Sequence, residues 1–197
     1  MRRFLVLLIT LMLLASAAQA AEAGEPRAFA GESTDAARTE ARTEAAAQSA
    51  TVRVAVIDSG ISTEAVSAER VAAGYNYVRP QDGTGDKLGH GTAVAAIIAG
   101  SEKARVTGIC PTAALVPLVY CSADEDAREV SGGTAMTAQA VYDAVDVYGC
   151  RIINISSGTA TDSKTLRDAV DYAASRGALV VASAGNAGRT GPDAVYY

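Results

Sequence analysis

Three residues spread along 197 positions have side chains that could share acid–base and oxyanion chemistry: Asp58, His90 and Asn186. His90 is the only histidine in the chain. It lies in "KLGHGTAVAAIIAG" (residues 87–100), between Gly89 and Gly91. Imidazole is the side chain best suited to take up and return a proton near neutral pH. Asp58 directly follows the apolar run 54–57, where a carboxylate without a partner would be costly. It calls for a cationic or hydrogen-bonding neighbour, and His90 is the one imidazole on offer. A buried carboxylate on one ring nitrogen fixes the tautomer and favours the imidazolium, whereas a helix N-terminus disfavours it. The balance read from sequence is a ring that is neutral at rest and able to accept a proton during a reaction. Gly89 and Gly91 let the backbone come close and leave one imidazole edge open. Asn186 lies in "SAGNAG" (183–188), where its amide could donate to a developing oxyanion. Each residue also has a plainer reading. Asp58 suits a turn or helix cap, a lone histidine is commonly a surface or satisfied core residue, and Asn186 is a good turn former.

The elements that would hold these residues can be read from hydrophobic pattern. Four short apolar runs, rich in β-branched residues, are "VRVAVIDSG" (52–60), "AALVPLVYC" (113–121), "CRIINISSG" (150–158) and "GALVVASAGN" (177–186). They are continuous rather than alternating, which predicts strands covered on both faces of a parallel sheet. Between them lie three helical patterns. One spans 92–99, just after His90. A second spans 137–147, with Ala140, Val141, Ala144 and Val145 on one face. The third spans 163–176, with Ser163 as N-cap and Gly177 as the stop. Strands alternating with helices predict an α/β fold with a mainly parallel sheet. In such sheets the chemistry collects beyond the carboxyl ends of the strands, where Asp58, Ser156-Ser157-Gly158 and Asn186 fall. Asn154-Ile155-Ser156 matches a glycosylation acceptor, but its place in a buried strand argues against that use.

Residues 1–20 read as a secretory signal peptide: Arg2 and Arg3, an apolar run at 4–15 too short to span a membrane comfortably, and a small-x-small site at 18–20. Residues 21–50 are rich in Ala, Glu, Arg and Thr, with a tandem "ARTEARTE" at 37–44, and read as a linker or short pro-segment. Residues 51–197 are the folded domain. Without residues 1–20 the chain keeps 15 basic against 22 acidic side chains, a net −7. That balance disfavours nucleic acid and anionic lipid as partners. Cys110, Cys121 and Cys150 are far apart and form no CxxC pair, so they read as buried structural thiols rather than metal ligands. No GxGxxG or P-loop supports nucleotide binding.

Four segments resemble, in order, the subtilisin-like serine peptidases: "VAVIDSGI" (54–61), "GHGTAVAAIIAG" (89–100), "INISSG" (153–158) and "VVASAGNAG" (180–188). The 32 positions from Asp58 to His90, the 30 from Ser156 to Asn186, and Asp86 four before the histidine fit the same family. The resemblance implies a subtilisin-like α/β domain in a secreted serine endopeptidase. Asp58 would orient His90, His90 would be general base and acid, and Asn186 would donate to the oxyanion. Ser131, Gly132, Gly133, Ser156, Ser157 and Gly158 would flank an extended peptide or protein substrate and bind its backbone like added strands.

The family places its nucleophile in a Gly-Thr-Ser-Met-Ala motif well beyond the oxyanion asparagine, and residues 187–197 do not reach it. "GTAM" at 133–136 lies in the wrong order and belongs to the loop that leads into the 137–147 helix. The expectation is therefore the N-terminal part of a catalytic domain, inactive by itself. The alternative is a non-catalytic peptide-binding or degenerate relative. The 30 residues at 21–50 are too few for the family's folding pro-domain. No cofactor or metal is expected, and "SEKARV" (101–106) lacks the Asn and Asp oxygens that would hold calcium there. Read past the codon for Tyr197, the gene is expected to continue in frame into a Gly-Thr-Ser motif followed by a helix. A stop codon there would instead leave the catalytic set unfinished.

Overall fold

The computed structural model describes residues 51–185. The leader, the 21–50 segment and Asn186 fall outside them. The described strands are β1 (Arg53–Asp58), β2 (Tyr75–Asn76), β3 (Ala114–Val119), β4 (Cys121–Ala123), β5 (Glu129–Ser131), β6 (Ile152–Ile155) and β7 (Leu179–Ala182). The helices are α1 (His90–Ala99), α2 (Gly133–Asp146) and α3 (Lys164–Ser175). Five strands form a sheet in the order β2-β3-β1-β6-β7, with every neighbouring pair parallel. β4 and β5 form a separate antiparallel hairpin. The mainly parallel α/β architecture read from sequence is the one observed.

Side chains alternate across β1, and each face meets different helices. Val54 and Val56 pack with Ala95, Ala96 and Ala99 of α1. Ala55 and Ile57 pack with Ala140, Val141 and Ala144 of α2 and with Ala169 and Ala173 of α3. Double coverage thus holds for β1, and equally for β3, where Leu115 faces α1 and Val116 and Leu118 face the other layer. It does not hold for β7. Val180 joins the α2–α3 core, but the alternate residues Leu179 and Val181 are 60% and 45% exposed. Among the described residues, nothing covers that face of β7.

The chain leaves β1 for β3 on one side through α1, then returns through α2 to β6 on the other. β1 therefore sits at the topological switch point, where the strand ends leave a crevice. The helix boundaries refine the sequence reading. α1 starts at His90 itself. α2 starts at Gly133, four residues before the expected position, because the glycine pair that resembles a loop is the helix entry. α3 is as expected: the Ser163 hydroxyl accepts from the Leu166 N–H at 3.3 Å, and Gly177 turns the chain away with φ +78°. Cys121 and Cys150 are buried, and burial pushes both thiols up to about 12. Cys110 is only half-buried, which corrects its reading as a core thiol.

The two kinds of strand position separate in a stability measurement. Ile57→Ala is expected to cost about 2–5 kcal/mol in urea unfolding, because a fully buried side chain leaves a cavity. Leu179→Ala, at an exposed position, is expected to cost less than about 1 kcal/mol.

Candidate active site

Asp58 closes β1 with its carboxylate almost fully buried, the side chain 4% exposed. The adjacent Ser59 N–H donates to its Oδ1 at 2.8 Å. His90 Nδ1 lies 2.8 Å from Asp58 Oδ1 and 3.0 Å from Oδ2. An ionised carboxylate only accepts, so Nδ1 carries the proton and Nε2 keeps its lone pair. The imidazole is 34% exposed, and among the described residues nothing hydrogen-bonds Nε2. The structure thus brings together two of the three residues singled out first, while Asn186 lies just past the described residues.

The approach of α1 to β1 rests on two glycines with different tasks. Gly89 precedes the helix with φ +87°, a left-handed conformation that suits glycine. Gly91 permits contact: a Cβ there would strike the Gly60 carbonyl oxygen and come within 3.1 Å of Asp58 Cβ. The fully buried Ser59 hydroxyl accepts from the Gly91 N–H at 2.9 Å. Sequence reasoning missed Ser59 as a fastener. The signal was its place immediately after Asp58.

The electrostatics differ from the expected balance. The Asp58 hydrogen bond raises the His90 pKa above the ordinary histidine value. Burial opposes it, and the charges of Asp58 and Asp86 add to the rise. The sequence reading weighed one carboxylate against the positive end of α1. The structure sets a second carboxylate at that helix start, and the net shift is upward. The pair therefore stabilises the fold fully below the unfolded histidine value of about 6.5 and loses that contribution as pH rises through the folded value.

The two segments expected to flank a substrate sit at the same end of the sheet. Ser131 ends β5, opposite Cys121. The Gly132 N–H donates to the Tyr120 carbonyl at 2.7 Å, and the Gly133 N–H donates to the Ser131 hydroxyl at 3.2 Å. Ser156, Ser157 and Gly158 follow β6, and Asn154 Nδ2 donates to Ser156 Oγ at 2.8 Å. Tyr120 joins these parts, because its N–H also donates to the Asp58 carbonyl at 3.1 Å. A cavity of about 760 Å³ lies elsewhere, around residues 63–70 and 99–107. Its lining includes Ala99 and Gly100, at the far end of α1 from His90, so it is no part of this site. Among the described residues no cluster of three or more His, Cys, Asp or Glu side chains could hold a metal ion.

A buried carboxylate at the end of a central parallel strand, bonded to Nδ1 of a histidine that opens the next helix, is a specific arrangement. The subtilase family model matches residues 49–197. The chain belongs to the subtilase family. Mycosin-4 of Mycobacterium tuberculosis is 34% identical over 152 residues, which cover 69% of this chain and 33% of that one. Subtilisin BL of Lederbergia lenta is 38% identical over 138 residues, covering 70% of this chain and 48% of its own length. Among solved structures, S41 psychrophilic protease superposes with a TM-score of 0.59 at 29% identity, covering 75% of this chain and 50% of the other. The chain thus spans about a third to a half of these subtilases, and its sheet and helices are those of a subtilisin-like fold.

Because His90 is the only histidine, its ring signals in proton NMR are unambiguous. Its titration midpoint is expected above 6.5, and Asp58→Asn is expected to bring it down. An unchanged midpoint in that variant would show that the pair does not govern the ring.

Proposed function

We propose that this chain carries the acid–base half of the active site of a secreted serine endopeptidase. The observation that supports this reading most strongly is the His90–Asp58 bond through Nδ1, with Nε2 left open on a half-exposed edge. A base in this state can accept a hydroxyl proton at Nε2 while the hydroxyl oxygen attacks a peptide carbonyl. The imidazolium that forms faces the Asp58 carboxylate, and Nε2 then returns the proton to the leaving amine. Asn186 is assigned as the donor to the carbonyl oxygen as it gains charge.

By the family resemblance, the hydroxyl belongs to a segment beyond the oxyanion asparagine. Ser59 spends its oxygen on Gly91, Ser156 and Ser157 stand in the flanking segment, and residues 186–197 contain no serine. We assign the nucleophile to a further segment of the polypeptide. The bare face of β7, with Leu179 and Val181 exposed, suits a domain that has more to pack. Loss of the nucleophile from such a set costs on the order of 10⁶ in kcat, so the 197 residues alone are expected to be inactive.

The substrate is assigned as an extended peptide or protein segment. It would run between Ser131-Gly132-Gly133 and Ser156-Ser157-Gly158 and add to the backbone as a strand does. Gly132 and Gly133 engage both their N–H groups and their carbonyls within the chain, so Ser131, whose hydroxyl still has a proton to donate, is what this flank would offer. Secretion rests on the signal-like residues 1–20, and among the described residues no helix is long and apolar enough to cross a membrane. A non-catalytic peptide-binding role is the second reading, favoured by the lack of an assignable serine within the 197 residues.

The test uses protein expressed from the full reading frame. A fluorophosphonate probe is expected to label one serine, and casein or an unfolded peptide is expected to be cleaved. His90→Ala is expected to abolish both, and Asp58→Asn to lower kcat on the order of 10⁴. Turnover that persists in His90→Ala would sink the mechanism. Peptide binding without turnover or labelling would favour the second reading.

A further inference from the structure

The first turn of α1 presents backbone N–H groups that need partners, and its N-cap, Gly89, has no side chain to supply one. The partners come from outside the helix. The Gly91 N–H goes to Ser59 Oγ. The Thr92 N–H and the Thr92 hydroxyl both donate to Asp86 Oδ2, at 2.8 and 2.6 Å. The other oxygen of the same carboxylate accepts from the N–H groups of Leu88 and Gly89, at 2.9 and 2.8 Å. The Thr92 oxygen in turn accepts from the Ser62 N–H at 3.0 Å. α1 is therefore fastened to the segment after β1 at two points, one through Gly91 and Ser59, the other through Thr92 and Ser62.

We propose that Asp86 is a positioning residue for His90: with Thr92 it caps the first turn of α1 from outside the helix and so holds the imidazole against Asp58. The proposal rests on the reading of His90 as the base. Two fastenings fix both the height and the rotation of the helix start. Asp86 serves the second one: by taking the Thr92 hydroxyl proton it turns that oxygen toward the Ser62 N–H, and with this hold lost α1 can turn about the Gly91–Ser59 contact and carry the His90 ring off the carboxylate. Both Asp86 oxygens are occupied by four donors, so Asp86 acts through geometry and charge rather than by touching a substrate. It also faces the imidazole with a second negative charge, alongside Asp58 from β1. The neighbouring Lys87 spends its ammonium on Asp82 at 2.7 Å.

Asp86→Asn tests this because it keeps the shape while setting an amide NH₂ against donors. The measurement is proton NMR of the full chain, following the His90 Nδ1–H signal and the titration midpoint, with circular dichroism to verify the fold. Asp86→Asn is expected to weaken or abolish the downfield Nδ1–H signal. It is also expected to lower the midpoint, by less than Asp58→Asn does. Thr92→Val is expected to weaken the same signal with a smaller change in midpoint, and Thr92→Ser to restore it. A folded Asp86→Asn with a wild-type signal and midpoint would overturn the proposal, even if its melting temperature fell. Should that variant not fold, a wild-type Nδ1–H signal in Thr92→Val would overturn it instead. These readouts need no turnover. Loss of the endopeptidase reading would leave them standing, and their failure would leave the His90→Ala result untouched.

Discussion

A negative charge buried at the end of β1 is the constraint around which the rest is arranged. Asp58 sits at the switch point of a parallel sheet, walled by apolar strands on both sides. Out of water, a carboxylate must be met by hydrogen bonds. The chain meets it with the Ser59 N–H and the His90 ring. Gly91 leaves room where the helix start and the strand end touch, and Gly89 makes the turn that brings them there. Ser59, Ser62, Asp86 and Thr92 supply the hydrogen bonds that keep them touching. The open nitrogen of the imidazole is what this arrangement presents to the crevice.

The same geometry explains why the pair favours the proton. A helix start carries partial positive charge, which alone would push an imidazole toward neutrality. Here the Asp58 hydrogen bond to the ring is the largest influence, burial opposes it, the charges of Asp58 and Asp86 add to it, and the net shift is upward. The consequence is a base whose free form appears with rising pH, in keeping with a site held by acidic neighbours.

The parts of this arrangement that sequence revealed are those where residue type is rare or costly. One histidine among 197 residues and one aspartate behind four apolar ones point to each other without any knowledge of the fold. Four strands of the main sheet, β1, β3, β6 and β7, and α3 were legible for a similar reason, since continuous apolar runs and a Ser163 cap carry their own pattern. The rest was hidden where an element exists only through pairing. β2 has two residues and β5 three, too few for any periodicity. Gly132-Gly133 looks like a loop and proves to be the entry to α2. The cap on α1 was half visible: Asp86 stands at a telling spacing, but its four donors come together only once the turn at Gly89 has formed. The bare face of β7 was not legible, because Leu179 and Val181 are as apolar as the residues of a strand covered on both sides.

The strand order has a bearing on how the molecule is made. Along the half of the sheet formed by β1, β6 and β7, each strand is laid against the one that left the ribosome before it, so the sheet grows outward by accretion at a single margin. Every stage of that growth ends on a row of unpaired backbone groups, and among the described residues the row at β7 is flanked by the exposed Leu179 and Val181. A nascent chain paused there would offer a ready template to any extended segment nearby. While that edge of β7 stays open, a nascent chain would gain from chaperone protection.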